Sequence, residues 1–257
     1  MQSLERKAQN HGNYSLALHF ALYTFSLLLC FIAAFSAISA VNARDIPAPR
    51  KIFLDPGHGG KDLGVRGKGG LTEKVVTLEV AKYLRDILQQ RLGIEVFLTR
   101  SGDYSLSLTE RIALANNRKA DLFISLHTGA AFNPRRQGFN MFYMNTAVAD
   151  SEPLEQPPTD SLPSWLRGQE EFIPASQRLA QILIESLNKA FYLPTHAGRI
   201  LGGPWAVLIG ARMPSVLVEM GYLTNPIEED KLRDKIYRQA IAEALSNAIE
   251  EYYRDEL

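Results

Sequence analysis

The sequence contains a single cysteine, Cys30, and no excess of charge of either sign. Its 257 residues include 28 Lys and Arg against 28 Asp and Glu. A single cysteine excludes a disulfide framework and any metal site built from thiolates. The balanced charge gives no electrostatic reason to expect binding to nucleic acid, so no nucleic-acid partner is predicted. With 46% hydrophobic residues, the composition is typical of a folded globular protein and excludes disordered and collagen-like chains.

A long uncharged stretch lies near the N-terminus. Residues 20–43 carry no charged side chain over 24 positions. As a helix they would measure roughly 36 Å, against about 30 Å for the hydrocarbon core of a bilayer. Arg6 and Lys7 precede the stretch, and Val41 and Ala43 provide the small residues of a signal-peptidase site. We therefore predict export to the periplasm or cell envelope, with residues 1–43 as a cleaved signal peptide or a retained membrane anchor. Membrane contact is expected only if this helix is retained.

The remainder alternates between strand-like and helix-like segments, after a predicted linker at 44–50. The predicted strands are 51–55, 94–99, 121–126, 138–144, 205–209 and 215–219, and the main predicted helices are 72–92, 107–119, 175–191 and 235–253. A further short helix begins at Asn225, with Glu228 expected to complete a capping box. This alternation predicts a single α/β domain over residues 51–257, with helices packed on a largely parallel or mixed sheet.

A proline-rich, acidic segment interrupts this pattern at residues 145–173. Prolines are frequent in irregular structure, and a long connection within an α/β domain is typically an insertion. We predict a loop insertion here, with one short helix at 164–172.

Side chains suited to chemistry follow three of the predicted strands. His58 lies in a Gly-rich loop after the first strand, His127 and Glu219 end two others, and Glu73 lies in the first turn of the next helix. The carboxyl ends of strands form the site in open α/β sheets. Two imidazoles and a carboxylate suit a catalytic zinc, and a second carboxylate is needed to transfer a proton. One Zn²⁺ held by His58, Glu73 and His127 is thus a candidate, with Glu219 as the catalytic proton carrier and Asp55 orienting the imidazole of His58.

Each of these residues also has a structural explanation. A histidine is common in a turn or at a strand end, and Glu73 is favoured by the positive end of the helix dipole. Glu219 is harder to explain in this way, because it follows three apolar residues and an unpaired carboxylate there is costly. The loop after the first strand matches neither phosphate-binding motif, since Asp62 stands where both require glycine. Spacing alone leaves the catalytic and the structural interpretations open.

Six motifs occur in a fixed order along the chain. They are IFLDPGHGGKD at 52–62, LTEK at 71–74, LTR at 98–100, LTER at 108–111, DLFISLH at 121–127 and PSVLVEMGYLTN at 214–225. In this order the chain resembles the zinc-dependent N-acetylmuramoyl-L-alanine amidases, with an AmiC/CwlV-like catalytic domain. The resemblance extends over about residues 51–253.

The resemblance implies a central twisted, six-stranded mixed sheet flanked by helices. It implies a peptidoglycan substrate and hydrolysis of the amide between the lactyl group of N-acetylmuramic acid and L-alanine. The zinc ligands of the family correspond to His58, Glu73 and His127, and its catalytic glutamate corresponds to Glu219. Some relatives carry, where this chain has its insertion, a segment that covers the zinc until an activator binds. A lid at 145–173 and an envelope activator protein are therefore further expectations.

One position departs from the family pattern, and two other functions stay open. Thr128 and Gly129 follow His127, where family members usually have a small residue and then asparagine, so we expect one polar substrate contact to be lost. A catalytically silent peptidoglycan-binding module would have no need of all four site residues. A zinc carboxypeptidase-like peptidase would share the metal chemistry and differ in its product.

Overall fold

A computed structural model describes residues 50–145, 168–193 and 198–254. The strands in these ranges are β1 (Lys51–Pro56), β2 (Glu95–Leu98), β3 (Leu122–Gly129), β4 (Asn140–Met144), β5 (Arg199–Gly203) and β6 (Ser215–Tyr222). The α-helices are α1 (Glu73–Leu92), α2 (Leu108–Asn117), α3 (Ile173–Ala190), α4 (Pro226–Arg233) and α5 (Lys235–Arg254). The predicted signal or anchor, the linker up to residue 49 and residues 146–167 of the insertion lie outside the described residues. None of the helices in the described ranges combines the length and hydropathy that crossing a bilayer requires.

The six strands form one mixed sheet in the order β2-β1-β3-β6-β4-β5. Neighbours among β2, β1, β3 and β6 pair in parallel, so their carboxyl ends meet at one edge. Strand β4 pairs antiparallel with β6 and parallel with β5. The amino end of β4 therefore lies beside the carboxyl end of β6. The six-stranded mixed sheet that the resemblance implies is confirmed.

The two faces of the sheet carry separate apolar clusters, as the period-2 alternation of strand side chains requires. On one face, Leu54 and Ile124 pack with buried residues of α1, α3 and α5. On the other, Phe53 and Phe123 pack with α2 and with a short 3₁₀ turn, Ala206–Leu208. Helices therefore cover both faces, and the edge at the carboxyl ends of the strands is left for the site.

Two helix boundaries are confirmed where a specific end-capping residue marks them in the sequence. Helix α1 ends at Gly93, whose φ of 63° is the left-handed conformation of a helix C-cap. Helix α2 begins with the predicted capping box, in which Ser107 and Glu110 each bond the backbone of the other.

Two local predictions are wrong, and a third lies partly outside the described residues. Residues 205–209 do not form a strand; Val207 and Leu208 are buried in the 3₁₀ turn, so their apolar character reflects burial. The fifth strand is Arg199–Gly203, whose glycines lower its β-propensity. Glu228 bonds the backbone of Gly138 and Tyr222 and not the cap residue. Within the described part of the predicted helix at 164–172, only the 3₁₀ turn Glu170–Phe172 is present.

Candidate metal centre and active site

Three side chains converge where β1, β3 and α1 meet. His58 follows β1, Glu73 is the first residue of α1, and His127 lies near the end of β3. One nitrogen or oxygen from each residue lies within 4.8 Å of the others. These three are the one group of three or more potential ligands found within the described residues. The structure thus brings together all three of the residues that the sequence nominates as metal ligands.

The carboxylate of Glu73 lies between the two imidazoles. Its Oε2 is 3.1 Å from Nε2 of His58, and its Oε1 is 3.0 Å from Nδ1 of His127. The two oxygens also accept backbone hydrogen bonds from Val65 and Thr128, at 2.9 and 2.8 Å. Burial alone would raise the pKa of Glu73, but the hydrogen bonds to His127 and His58 outweigh it and hold this pKa far below its ordinary value. The carboxylate is therefore ionised near neutral pH.

The imidazole of His58 is oriented by Asp62. Nδ1 of His58 lies 2.8 Å from Oδ2 of Asp62, which leaves Nε2 directed toward Glu73. Burial alone would lower the pKa of His58, but Glu73 and Asp62 together raise it above its ordinary value. A carboxylate on the far nitrogen of a metal-binding histidine is a common orienting partner. In the sequence, the available indication for Asp62 is that this carboxylate lies four residues after His58.

Asp55, which the sequence nominates for this orienting role, does not contact His58. Its side chain is fully buried and accepts hydrogen bonds from Thr99 (2.6 Å), Arg111 (2.7 Å) and Ser125 (2.7 Å). Asp55 and Ser125 are paired residues on β1 and β3, so their side chains meet across the two strands. That prediction is wrong because Asp55 still belongs to the strand, whereas His58 lies in the loop beyond it.

Two buried guanidinium groups hold the loop that carries His58. Arg100 donates to the carbonyls of Pro56 (2.9 Å) and Gly57 (2.8 Å), and Arg111 donates to those of Pro56 (2.8 Å) and His58 (2.8 Å). The backbone of His58 has φ of 62°, a conformation that costs a non-glycine residue of the order of 1–3 kcal/mol. Hydrogen bonds to its carbonyl offset part of that cost, so the two arginines keep His58 in place.

Glu219 lies beside this group on the neighbouring strand. It is the paired residue of His127 between β3 and β6, and its Oε2 accepts a 2.7 Å hydrogen bond from Nδ2 of Asn140. Burial raises the pKa of Glu219 and the nearby Glu73 adds to this, while Asn140 opposes it; the net pKa is raised. Sequence reasoning missed Asn140, whose signal is a single polar residue between Phe139 and Met141 in an apolar strand.

The four side chains line one open cleft of about 490 Å³. Its walls also include Val65, Thr128, Ala130 and Leu217. Glycine is required at position 57, against one of the proposed ligands, because a methyl group there would lie 2.4 Å from Cε1 of His127. Two imidazoles and one carboxylate in contact suit a divalent ion such as Zn²⁺, and Glu219 lies outside that ligand group.

The family model for N-acetylmuramoyl-L-alanine amidase matches residues 52–251. The chain is 34% identical over 221 residues to the amidase AmiC of Neisseria meningitidis serogroup B, a match that covers 78% of this chain and 52% of AmiC. It is 33% identical over 234 residues to AmiA of Escherichia coli K12, covering 84% of this chain and 80% of AmiA. The chain spans about half the length of the AmiC relatives from Neisseria and Escherichia coli, 52% and 54%.

Solved structures agree with this assignment. The N-acetylmuramoyl-L-alanine amidase from Clostridium difficile 630 superposes with a TM-score of 0.66 at 30% identity, over 80% of this chain and 97% of that one. The CwlD amidase of Clostridioides difficile, solved in complex with the GerS lipoprotein, gives 0.64 at 26% identity, over 80% and 98%. Sequence and fold together show that this chain belongs to the N-acetylmuramoyl-L-alanine amidase family.

Proposed function

We propose that this chain hydrolyses the amide between the lactyl group of N-acetylmuramic acid and L-alanine in peptidoglycan. One observation carries the proposal: a group of two histidines and a glutamate lies in the same cleft as a second glutamate. Hydrolysis of an unactivated amide needs an electrophilic centre together with a group that transfers a proton. Membership of the amidase family supports the choice of substrate.

We propose Zn²⁺ as the ion, with His58, Glu73 and His127 as its ligands. The donor set fits, because zinc is commonly bound by imidazole nitrogen and carboxylate oxygen, and a catalytic site keeps a position for water. When bound, the ion supplies Lewis-acid chemistry, in which it polarises the scissile carbonyl and lowers the pKa of a water molecule. Asp62 supports this assignment, since its bond to Nδ1 of His58 makes Nε2 the nitrogen that faces Glu73 and that would bind an ion.

We propose Glu219 as the residue that transfers the proton. Its carboxylate receives a proton from the attacking water as the new C–O bond forms. It then donates that proton to the leaving nitrogen of L-alanine as the C–N bond breaks, so the reaction is balanced and Glu219 is regenerated. The raised pKa of Glu219 suits both steps, because a group that accepts and returns a proton works best when its pKa is near the working pH.

We also propose that the reaction takes place outside the cytoplasm, in the periplasm or at the envelope. The uncharged stretch at residues 20–43 supports export, and the substrate lies in the cell wall. An envelope activator protein is part of the proposal. Its support is that the related CwlD amidase was solved in complex with a lipoprotein.

The test is mass spectrometry of purified peptidoglycan after digestion by the full chain. An amidase releases intact stem peptides with a free L-alanine amine. A carboxypeptidase would release single residues from the other end of the peptide, and a silent binding module would bind the wall and release nothing. Either of these last two results would contradict the proposal.

The role of Glu219 is tested by Glu219→Gln, which keeps the size of the side chain and removes its basicity. We expect kcat to fall by about 10²–10⁴-fold, the range that a general base contributes, while the zinc content is unchanged. Glu243→Gln, at an exposed carboxylate of α5, is the matched control and should retain full activity. Retained activity in the Glu219 variant would remove Glu219 from the proton transfer.

A further inference from the structure

The carboxylate of Glu219 is held from the neighbouring strand by Asn140. Asn140 is the first residue of β4 and pairs directly with Glu219 of β6 in the antiparallel ladder. Its amide nitrogen donates to Oε2 of Glu219 at 2.7 Å and to the hydroxyl oxygen of Tyr222 at 2.6 Å. Asn140 is 5% exposed, so its amide is largely shielded from water.

Both hydrogens of the Asn140 amide are used in these two bonds. An ionised carboxylate only accepts hydrogen bonds, so the amide nitrogen and not the amide oxygen must face Glu219. On the other side, the hydroxyl of Tyr222 also accepts a 3.3 Å hydrogen bond from Nε of Arg136. The amide is therefore fixed from two directions, and it fixes Glu219 in turn.

Only one oxygen of Glu219 is engaged in this way. Within the described residues, Oε2 accepts the bond from Asn140, and Oε1 has no hydrogen-bond partner. A general base must lie within about 2.6–3.2 Å of the proton that it removes. A carboxylate with one oxygen anchored and the other free presents a single atom, in one position, to the attacking water.

We propose that Asn140 is a positioning residue for the hydrolysis, which anchors Oε2 of Glu219 so that Oε1 is the atom that exchanges the proton. The inference rests on the function proposed above. A displacement of about 1 Å in a reacting group costs about 10²-fold in rate. Loss of the anchor therefore acts on the chemical step, while the metal ligands and the rest of the cleft are untouched.

A purely structural role is the rival explanation, because Asn140 also satisfies a partly buried carboxylate. Two substitutions distinguish the explanations: Asn140→Leu keeps the branched shape and removes both donors, and Asn140→Asp keeps the shape and places a second carboxylate beside Glu219. A structural role predicts lower stability with kcat unchanged for the folded fraction. A positioning role predicts a loss in kcat with KM and zinc content unchanged.

The experiment measures kcat, KM and zinc content for the full chain, with a soluble muramyl peptide as substrate. We expect kcat to fall by about 10²-fold in both Asn140 variants. Asn116→Leu is the matched control: Asn116 bonds the backbone of Gly210 and Arg212 away from the cleft, and its loss should lower stability without lowering kcat. A kcat for folded Asn140→Leu close to that of the unsubstituted chain would overturn the inference.

A double variant separates action through Glu219 from any independent effect. If Asn140 acts only by holding Glu219, adding Asn140→Leu to Glu219→Gln lowers kcat no further. A further drop equal to that of the single variant would contradict the inference even if the single variant is slow.

If the unsubstituted chain releases no peptide, the proposed function is wrong and the inference falls with it. An active chain with an insensitive Asn140 overturns the inference alone.

Discussion

Oδ2 of Asp62 lies 2.8 Å from Nδ1 of His58. An ionised carboxylate only accepts hydrogen bonds, so this contact places a hydrogen on Nδ1 and directs Nε2 at Oε2 of Glu73, 3.1 Å away. Oδ1 of Asp62 also accepts a hydrogen bond from the backbone of Gly64 at 3.0 Å. Asp62 thus links the orientation of a proposed metal ligand to the course of the loop beyond it.

Replacement of Asp62 is expected to weaken metal binding. Asp62→Asn keeps the size of the side chain and removes its charge, so Nδ1 of His58 keeps at most a weaker, neutral hydrogen-bond acceptor. We expect zinc affinity to fall by about 10–100-fold, the usual effect of such partners, as measured by competition with a chelator. Asp86→Asn, an exposed carboxylate paired with Arg85, is the control and should bind zinc normally. Unchanged affinity for Asp62→Asn would contradict the orienting role.

Gly57 is a sensitive position for the geometry of the site. A methyl group there would lie 2.4 Å from Cε1 and 2.7 Å from Nδ1 of His127, so Gly57→Ala must displace the imidazole. We expect the variant to fold and to lose most of its zinc affinity and activity. The control is Gly168→Ala, where the added methyl group meets no atom of the described residues within 4 Å. Full zinc binding by the Gly57 variant would show that His127 is not a ligand in its present position.

The buried pair of Asp55 and Arg111 is expected to matter for stability. Arg111→Ala leaves the fully buried carboxylate of Asp55 without its counter-charge, and it removes the hydrogen bond to the carbonyl of His58. Breaking a buried pair in this way costs about 3–5 kcal/mol. Urea unfolding of the metal-free chain measures it. Arg85→Ala, which breaks an exposed pair with Asp86, should cost about 1 kcal/mol or less. Similar losses in both variants would refute the argument.

The sequence is sufficient to predict the position of those site residues that lie at the carboxyl ends of parallel strands. His127 and Glu219 end strands whose carboxyl ends share an edge, so the pattern of strands alone predicts that they approach each other. Asn140 was missed because β4 runs antiparallel to β6. Its polar residue lies at its amino end, and only the pairing with β6 brings it to Glu219.

Asp55 and Asp62 show the same limit within a single loop. Both carboxylates are near His58 in sequence, and residue type does not distinguish them. The choice depends on where β1 ends and on the positive φ of His58, which turns its side chain toward the second carboxylate. The fifth strand was misplaced for a related reason: burial of Val207 and Leu208 imitates a strand pattern, whereas Gly202 and Gly203 weaken the true one.

Glu228 is expected to give folding stability a distinct pH dependence. Burial raises its pKa above the ordinary value of 4.5, and the hydrogen bonds from the backbone of Gly138 and Tyr222 offset this only in part. The folded chain therefore holds this proton to a higher pH than the unfolded chain. Its contribution to stability is complete below pH 4.5 and is lost as the pH rises through the raised pKa.

Glu228→Gln removes this titration while keeping the shape of the side chain. The variant is expected to be least stable relative to the unsubstituted chain at low pH, where Glu228 is protonated. The free energy of unfolding of the unsubstituted chain minus that of the variant should decrease as the pH rises, because only the unsubstituted chain then has to bury a charge. Urea unfolding of both chains at a series of pH values from about 4 to about 7 measures the difference. If this difference in the free energy of unfolding stayed constant or increased with rising pH, the pKa of Glu228 would not be raised in the folded state. Its two backbone hydrogen bonds would then compensate fully for its burial.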